Sequence, residues 1–468
     1  NDCSNAEQEI AKADYPNIRL FQIRRVPSHT PLDDVEGAWQ TCSPKSAKGF
    51  SAAAYYFGRK LQKELKVPVG LVLGAWGATN IEAWTPREVQ LDDPVVKQMM
   101  ANVDKRAHLY DEAKAKERYE KAMVAWEKRF AAYKASGYKG RWPSRPRLQL
   151  HPQKNQHYPG NLYNGMIHPI APFAIRGAIW YQGESNSKLA EHYEVSLKRM
   201  ISSWRKAWGQ GDFPFYFVQL PNFRAPWTRP VEHDAWPIVR EAFLKTAKSV
   251  PNTGMAITID IGDVRNIHPK NKHDVGDRLG RVALRKTYGK TDHAWTGPIY
   301  KDCRIEGGKA TITFENGNSP LAVRKGGKLF GFALADESGK TVHADAVIEG
   351  EDTVVVTSPQ VSTPVSVLYA WANNPAGANL TNEAGLPASP FRHGPMPEFQ
   401  EEDMLAQMLP EDARRYQLLY SLDPTDLKLV NKTKVVYKVD NSRTIKGPIK
   451  RVAYFLGLKE GNLSLIHI

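Results

Sequence analysis

The sequence is short of cysteine and has no long apolar run. It contains three cysteines in 468 residues, Cys3, Cys42 and Cys303. Because a disulfide framework or a zinc site needs several cysteines at close spacing, this small number excludes both. No segment approaches the roughly 18 consecutive apolar residues of a membrane-spanning helix, and no secretory signal peptide opens the chain. Internal repeats and low-complexity tracts are also absent, which leaves an ordinary globular protein.

The composition and charge support that class. The chain is 41% hydrophobic and 24% charged, and its length is sufficient for two or three domains. Its formal charge is +14, and the segment from Lys97 to Arg147, with 14 basic and 6 acidic residues, carries +8 of it. Such a basic surface attracts anionic sugars or nucleic acids. No nucleic-acid-binding motif accompanies it, so a solvated helical insert is the favoured interpretation, with no nucleic-acid or membrane partner expected.

The apolar pattern predicts an α/β fold followed by a β-rich region. Apolar runs that end in glycine or polar residues alternate with segments of helical periodicity, as in α/β units. The predicted strands are 18–23, 67–73, 174–181, 213–220 and 253–260, and the predicted helices are 50–65, 191–208, 237–249 and 274–288. We expect a core domain over 1–297 with a helical insert at about 94–136. Short alternating segments then predict a sandwich-like β-rich part over 298–397, and 398–468 predicts the start of an additional, incomplete β module.

Polar residues follow the apolar run that ends at Tyr181. Gln182, Glu184, Ser185 and Asn186 lie within five positions of one another. In an open α/β sheet, ligands bind beyond the carboxyl ends of the strands, so this is where a site is expected. A polar turn that closes a core strand is the alternative interpretation.

Two other strands end in the same way, at 74–80 and at 263–268. A hydrolase with a nucleophilic serine needs a base, a group that orients the base, and hydrogen-bond donors for the oxyanion. His268 can be the base. The backbone N–H of Gly77 and the side chain of Gln182 or Asn186 can be the donors.

Three motifs, in this order, resemble those of the sialate O-acetylesterases. They are GAWGATNIEAWTP at 74–86, NLYNGMIHPIAPFAIRGAIWYQGESN at 161–186 and IGDVRNIHPKNKHDVGDRL at 261–279. The segment YAWANNPAGANLTNEAGLPASPFR at 369–392 is similar to the end of that domain, and the resemblance covers about residues 6–392. These proteins are SGNH-type carbohydrate esterases, so the resemblance implies a flavodoxin-like three-layer SGNH hydrolase core that uses no metal and no organic cofactor.

The resemblance also assigns roles to residues. His268, within Ile-His-Pro, matches the family's histidine base, and Gly77 matches its glycine block. The segment from Gln182 to Asn186 matches the block that supplies polar groups to the site. Glu184 is expected to orient neighbouring loops or the substrate. An ion pair between Glu184 and a nearby lysine or arginine is the structural alternative.

One departure from the family pattern concerns the triad acid. Family members often place an aspartate two residues before the histidine, and this chain has Asn266 there. An asparagine accepts a hydrogen bond but carries no charge to stabilise an imidazolium. Asp263 as the acid and a Ser–His pair without an acid are both consistent with the sequence.

A second departure concerns the nucleophile. The family's serine lies in a Gly-Gln-Ser-Asn motif at the end of the first strand, and that motif is absent. Ser4, in Cys-Ser-Asn, has no apolar strand before it, and Ser185 lies inside a different family block. We therefore expect a chain truncated at its N-terminus, whose nucleophile precedes Asn1 and which is inactive alone.

The function predicted from these residues is hydrolysis of O-acetyl esters on sialic acid or a related glycan. The resemblance implies a secreted or periplasmic protein, and the oligomeric state is left open. One alternative is an acetylxylan-type esterase of the same fold. Another is a non-catalytic glycan-binding module, whose sugar-stacking side chains would be Trp76, Trp84, Trp180 and Tyr181.

Overall fold

The computed structural model describes residues 2–140, 142–375 and 377–397, together with four short strands between 420 and 466. Residues 1–399 form one compact unit, and residues 400–468 form a second. The predicted boundary at 297 lies inside the first unit. The division at 297 therefore remains a prediction, and it concerns two regions within one compact unit.

The first part of the chain alternates helices and strands, as the apolar pattern predicted. Its elements are α1 (Ala6–Ala11), β1 (Tyr15–Gln22), β2 (Trp39–Cys42), α2 (Pro44–Ala47), α3 (Ala52–Leu65), β3 (Val69–Leu73), α4 (Pro94–His108), α5 (Glu112–Ala135), β4 (Ala178–Trp180), α6 (Tyr193–Trp208), β5 (Phe215–Val218), α7 (Ala235–Ser249), β6 (Thr253–Ala256) and α8 (Lys272–Lys286). Five short 3₁₀ segments and one π-helical turn connect them: Ile81–Trp84, Glu88–Gln90, Pro152–Lys154, Tyr163–Ile167 (π), His168–Ile170 and Glu184–His192.

These strands form two three-stranded sheets with parallel pairing at their centres. One has the order β2-β1-β3, in which β1 is antiparallel to β2 and parallel to β3. The other has the order β4-β5-β6 and is entirely parallel. Every residue of β5 and β6 is buried, so helices cover both faces of this sheet. Helices α3 and α8 pack together in one layer, and α6 packs on α7 in another.

Strand β4 is shorter than the sequence predicted. The apolar run suggested a buried strand over 174–181, whereas the ladder includes only Ala178–Trp180. Among the described strands, β4 pairs with β5 alone, so it is an edge strand of its sheet. Ala178 and Ile179 are accordingly only half buried. Periodicity alone could not reveal this position, because it reports burial along a strand and not the number of neighbouring strands.

The predicted helical insert is a pair of helices on the surface. Asp93 caps α4 by accepting hydrogen bonds from the backbone N–H of Val95 (2.9 Å) and Val96 (3.3 Å). The same carboxylate pairs with Arg199 of α6 at 2.7 Å, which attaches the start of the insert to the core. Helix α5 has 24 residues, of which only Ala115 is buried. A helix so exposed is consistent with the strongly charged composition of the insert.

The β-rich region is a sandwich of two antiparallel four-stranded sheets. The sheet orders are β11-β10-β14-β16 and β12-β13-β8-β7, with β9 and β15 as a separate pair. Phe314 in one sheet contacts Phe391 in the other, with ring centroids 5.7 Å apart. The strands are β7 (Ile299–Glu306), β8 (Lys309–Glu315), β9 (Leu321–Val323), β10 (Phe332–Ala335), β11 (Thr341–His343), β12 (Asp345–Glu349), β13 (Thr353–Thr357), β14 (Ser366–Tyr369), β15 (Leu380–Asn382) and β16 (Phe391–His393).

The second unit contributes two antiparallel strand pairs. β17 (Tyr420–Ser421) pairs with β18 (Val439–Asp440), and β19 (Tyr454–Gly457) pairs with β20 (Leu463–Ile466). The rest of the predicted module at 398–468 lies outside the described residues. Among the helices of the described ranges, none has the length and apolarity required to cross a membrane.

Candidate active site

The exits of β3 and β4 are joined by hydrogen bonds between their loops. The Gln182 amide donates to the carbonyl oxygen of Thr79 at 3.0 Å and to Oδ1 of Asn186 at 2.7 Å. The Tyr193 hydroxyl donates to Oε1 of Gln182 at 2.8 Å. Both amide hydrogens of Gln182 are therefore engaged inside the protein. The segment predicted as a site wall is a rigid wall, held from two sides.

Beneath this wall, Asn186 and Glu82 form a buried polar pair. Asn186 is fully buried, and its Nδ2 donates to both carboxylate oxygens of Glu82 at 3.1 and 3.0 Å. Its Oδ1 accepts from the backbone N–H of Ile81 at 3.0 Å, and Ser196 donates to Glu82 at 3.3 Å. Burial raises the pKa of Glu82, and these hydrogen bonds oppose that rise. Asn186 thus has a structural role, and no donor on its side chain remains for an oxyanion.

Gly183 has a backbone that requires glycine. Its φ of 149° lies in the region that residues with a Cβ rarely adopt. A Cβ there would also lie 3.2 Å from side-chain carbons of both Leu220 and Val239. This turn directs the chain from β4 into the 3₁₀ helix Glu184–His192 and brings Glu184 to the edge of the sheet.

Glu184 lies near Lys272, at the start of α8. Burial raises the pKa of the Glu184 carboxyl group, and the nearby positive charge of Lys272 opposes the rise. The Lys272 ammonium group lies 4.8 Å from the centre of the Tyr181 ring, and the buried Tyr181 hydroxyl has no hydrogen-bond partner among the described residues. Sequence analysis left orientation and ion pairing open for Glu184. The structure places it beside a cation, on the side of the loop that carries His268.

The start of the loop that carries His268 is fixed at two points. Arg278 of α8 binds Asp260 through two hydrogen bonds of 2.6 and 2.8 Å, so the start of the loop is tied to the helix that follows it. The backbone N–H of Gly262 donates to Oδ1 of Asn222 at 2.6 Å. A Cβ on Gly262 would lie 1.8 Å from the carbonyl oxygen of Asn222, so only glycine allows this close approach.

Within the loop, the predicted acid and its neighbour shape the backbone. Oδ1 of Asp263 accepts from the backbone N–H of Arg265 at 2.8 Å and of Asn266 at 2.9 Å, and these two bonds lower the Asp263 pKa. Oδ1 of Asn266 accepts from the backbone N–H of His268 at 2.9 Å. Two consecutive side-chain turns therefore present His268 at the surface. Within the part of the chain that the structure describes, no hydrogen bond reaches the His268 imidazole.

The other predicted site residues lie at the protein surface. Gly77 is exposed in a turn after β3, where Ala78 adopts a φ of 60°. Ser4 is also exposed, and its backbone N–H donates to the carbonyl oxygen of Lys270 at 2.9 Å. This bond places Ser4 beside the His268 loop, although no described strand precedes it.

The side chains proposed for a sugar-stacking surface are largely core residues. Trp84 and Trp180 are only 2% and 7% exposed, and their rings meet edge to face at 6.0 Å. Only Trp76 and Tyr181 are partly accessible. The glycan-binding alternative therefore lacks two of its four contact residues. The sequence could not show this, because tryptophans near strand ends also fill the core beneath a site.

Sequence reasoning missed Glu82, Tyr193 and Lys272. Glu82 left a signal, since it is the single charge in the otherwise apolar Ile81–Trp84 segment. Such a charge on a buried segment needs a partner. Tyr193 and Lys272 left none, because each begins an ordinary amphipathic helix.

Comparisons with known proteins agree with this geometry. A family model described as a carbohydrate esterase, sialic acid-specific acetylesterase, matches residues 150–285. Mouse (Mus musculus) sialate O-acetylesterase is 26% identical over 423 residues, covering 83% of this chain and 73% of that protein. The human (Homo sapiens) sialate O-acetylesterase is 24% identical over 421 residues, covering 83% and 71%. The crystal structure of a carbohydrate acetylesterase from Xanthomonas citri superposes with a TM-score of 0.67 at 32% identity, covering 84% of this chain and 76% of that one.

The fold and these comparisons together identify the chain as a carbohydrate esterase, that is, a carboxylic ester hydrolase. Within that class, the chain belongs to the family of the carbohydrate acetylesterase from Xanthomonas citri, and its residues 150–285 match the model of the sialic acid-specific acetylesterases. The resemblance predicted from its three motifs is thereby confirmed, as are the α/β fold class and the function of carbohydrate O-acetylesterase.

Proposed function

We propose that the protein removes O-acetyl groups from sialic acid or a related glycan, with His268 as the general base. The observation that carries this proposal is the position of His268. His268 is exposed on a loop whose start is anchored at two points, at the edge of the sheet where the β4 exit forms a wall. It also lies inside the segment that the family model matches.

In this mechanism a serine hydroxyl transfers its proton to His268 and attacks the acetyl carbonyl carbon. The tetrahedral oxyanion that forms needs donors, and we assign one of these roles to the backbone N–H of the exposed residue Gly77. Collapse breaks the bond to the sugar oxygen, which takes the proton from His268. A water molecule then attacks the acetyl-enzyme, and its proton passes through His268 back to serine. The products are acetate and a glycan with a free hydroxyl group.

We propose Asp263 as the candidate acid, in preference to Asn266. The pKa of Asp263 is lowered by two backbone N–H donors, so the carboxyl group is ionised at neutral pH. Those donors occupy only Oδ1, which leaves Oδ2 for an imidazolium. The alternative is a Ser–His pair. An Asp263→Asn change that lowers kcat without altering the unfolding free energy would support the acid, whereas unchanged kcat would support the pair.

The first measurement is acetate release by the chain from O-acetylated sialic acid and from an aryl acetate, and any release would overturn the sequence-based prediction that the chain is inactive alone. His268→Ala is expected to reduce kcat by about 10²- to 10⁴-fold, the usual contribution of a general base. His108→Ala is the matched control, because His108 is exposed at the end of α4, on the surface insert. A His268→Ala protein with undiminished kcat would refute the assignment of the base.

The nucleophile is tested at the two candidate serines. Sequence analysis predicts that neither Ser4 nor Ser185 is the nucleophile, so alanine at either position should leave any acetate release within a few-fold. The hydrogen bond from Ser4 to Lys270 makes Ser4 the sharper test. Complete loss of activity in Ser4→Ala would identify it as the nucleophile and overturn the sequence-based prediction.

The family names support sialic acid as the acetylated sugar, and the relative from Xanthomonas citri carries the broader name of carbohydrate acetylesterase. A direct comparison of kcat/KM on acetylated sialic acid and acetylated xylan separates the two substrate classes. The family resemblance also supports a secreted or periplasmic location, which fractionation of the producing cells would test.

A further inference from the structure

Apart from the candidate active site, a groove lies between the core and the β-rich region, beside the loop that follows β5. It has a volume of about 370 Å³. One wall is the loop around Trp227, and the other is formed by residues at the starts of β10 and β12, including Phe330 and Asp345. Small-molecule sites in proteins usually have volumes of roughly 300–1,000 Å³, so the groove is large enough for one sugar ring.

The groove adjoins the loop that carries the predicted base. The carbonyl oxygen of Asn374 accepts from the backbone N–H of Trp227 at 2.9 Å, and its side-chain Oδ1 accepts from Nδ2 of Asn222 at 3.1 Å. Asn222 in turn holds Gly262, at the start of the His268 loop. Three successive hydrogen bonds therefore connect the groove to the candidate active site.

Hydrogen bonds and close packing fix the backbone of the aromatic wall of the groove. Phe330 is 50% exposed, although it is a large apolar residue. Its backbone N–H donates to Oδ1 of Asn379 at 2.8 Å, and Nδ2 of Asn379 donates to the carbonyl oxygen of Lys328 at 3.0 Å. Gly331 follows with a φ of 102°, where a Cβ would lie 2.8 Å from that of Ala378. These constraints hold the Phe330 ring at the mouth of the groove.

The polar groups around the ring suit a sugar. Lys328 and Asp345 form an exposed ion pair of 2.6 Å at the rim, where donors and acceptors stand side by side. The indole N–H groups of Trp227 and Trp371 are buried, and the described residues supply no acceptor for either. Sugar hydroxyls both donate and accept, and the carbon face of a pyranose packs on an aromatic ring. Arg229 also lines the groove, so the lining carries two basic side chains and one acidic side chain that can bond to sugar hydroxyls.

We propose that this groove binds a pyranose unit of the glycan substrate, separate from the sugar that carries the acetyl ester. The proposal rests on the proposed glycan esterase function, because it names a further part of the same substrate. The protein would then favour acetyl groups on oligosaccharides over acetyl groups on single sugars. Phe330 is the stacking platform, and Trp227 supplies a hydrogen-bond donor.

The first test is equilibrium binding, which needs no catalysis. Calorimetric titration of the full chain with an unacetylated neutral oligosaccharide should show saturable binding. Phe330→Ala should weaken it by about tenfold, a typical contribution of one aromatic contact. Trp227→Phe keeps an aromatic ring at this position and removes the indole N–H donor, so it should weaken binding by a smaller factor. Phe173→Ala is the matched control, since Phe173 is 53% exposed and precedes β4, at the opposite end of the strand from the exit wall.

The second test is selectivity during turnover. The ratio of kcat/KM on an acetylated oligosaccharide to that on an aryl acetate should fall about tenfold in Phe330→Ala and stay constant in Phe173→Ala. Oligosaccharide affinity that is the same in Phe330→Ala as in the wild type, or no affinity at all, would overturn the groove proposal. Failure of the proposed function looks different, because no ester would release acetate while the oligosaccharide would still bind and Phe330→Ala would still weaken that binding.

Discussion

At the scale of single residues, the site wall depends on side chains that are buried beneath it. Asn186 and Glu82 are 104 positions apart in the sequence, and each is the other's main partner. The pair fixes the exits of β3 and β4 relative to each other. A polar residue near an active site therefore has two possible roles, and burial is the property that separates them.

Asn186→Ala is expected to destabilise the protein strongly. It leaves the Ile81 N–H and the Glu82 carboxylate buried without their partner, and each unsatisfied buried group costs about 1–3 kcal/mol. We expect a loss of about 3 kcal/mol or more in the free energy of unfolding, measured with urea. Ser185→Ala, next to it and with no described hydrogen bond, should change that free energy by less than about 0.5 kcal/mol. Equal stability of the two variants would contradict this account.

At the scale of elements, the sequence predicted strands and helices well but their partners poorly. The apolar run before Gln182 located the β4 exit, since alternation and termination are local properties of the chain. The same run overestimated the length of β4, because pairing on one side only is a tertiary property. The position of His268 on the loop after a core strand was predicted from its motif. The orientation of Asp263 and Asn266 toward the backbone was not predicted, because residue type alone does not reveal which hydrogen bonds form within a turn.

The surface insert is an element with its own small aromatic core. Trp126 stacks on Phe130 of the same helix at 4.9 Å, and its indole N–H donates to the carbonyl oxygen of Pro143 at 2.8 Å. The guanidinium group of Arg145 lies 5.6 Å from the centre of the Trp126 ring. These contacts hold the segment after α5 against the helix, and they are independent of the main core.

Trp126→Ala is expected to release that segment without unfolding the domain. Limited trypsin digestion should cut faster after Lys139 and Arg147, while the melting temperature of the main transition stays within about one degree, because the insert contributes few buried contacts. Val124→Ala removes a 55% exposed side chain from the same helix and serves as the control. Slow, unchanged cleavage in Trp126→Ala would show that other contacts hold the segment.

At the scale of the whole molecule, the core and the β-rich region are joined through a buried charged clamp. Arg240 of α7 is fully buried and donates to four carbonyl oxygens, those of Leu220, Pro221, Ala372 and Asn373, at 2.6–2.9 Å. Glu232 accepts from the backbone N–H of Asn373 at 2.6 Å and from its side chain at 2.8 Å. Such a junction favours joint unfolding of both regions.

The clamp predicts that stability falls as the pH rises toward neutrality. Burial raises the pKa of Glu232 to about 7, whereas an unfolded glutamate titrates near 4.3. The folded state therefore binds the proton more tightly. This stabilisation, on the order of 3 kcal/mol, is fully present below about pH 4 and is lost as the pH rises through 7.

Glu232→Gln removes this titration, so the free energy of unfolding should depend less on pH between 5 and 8 than in the wild type. Urea unfolding at several pH values measures the difference. Glu306→Gln, at an exposed position in β7, should retain the wild-type dependence. A Glu232→Gln protein with the same slope as the wild type would show that other groups set it.

The clamp also bears on how the protein is made. Arg240 and Ala372 are 132 residues apart, so the ribosome finishes α7 well before it delivers the carbonyl groups that complete the clamp. At roughly 5–20 residues per second, the interval is on the order of ten seconds. During this interval the guanidinium group of Arg240 lacks two of its four acceptors and stays hydrated. The part of the core around Arg240 therefore cannot yet pack. The nascent chain therefore passes through a stage in which strands β1 to β6 have been synthesised but are not yet in their final packing, and we expect chaperones to bind it then.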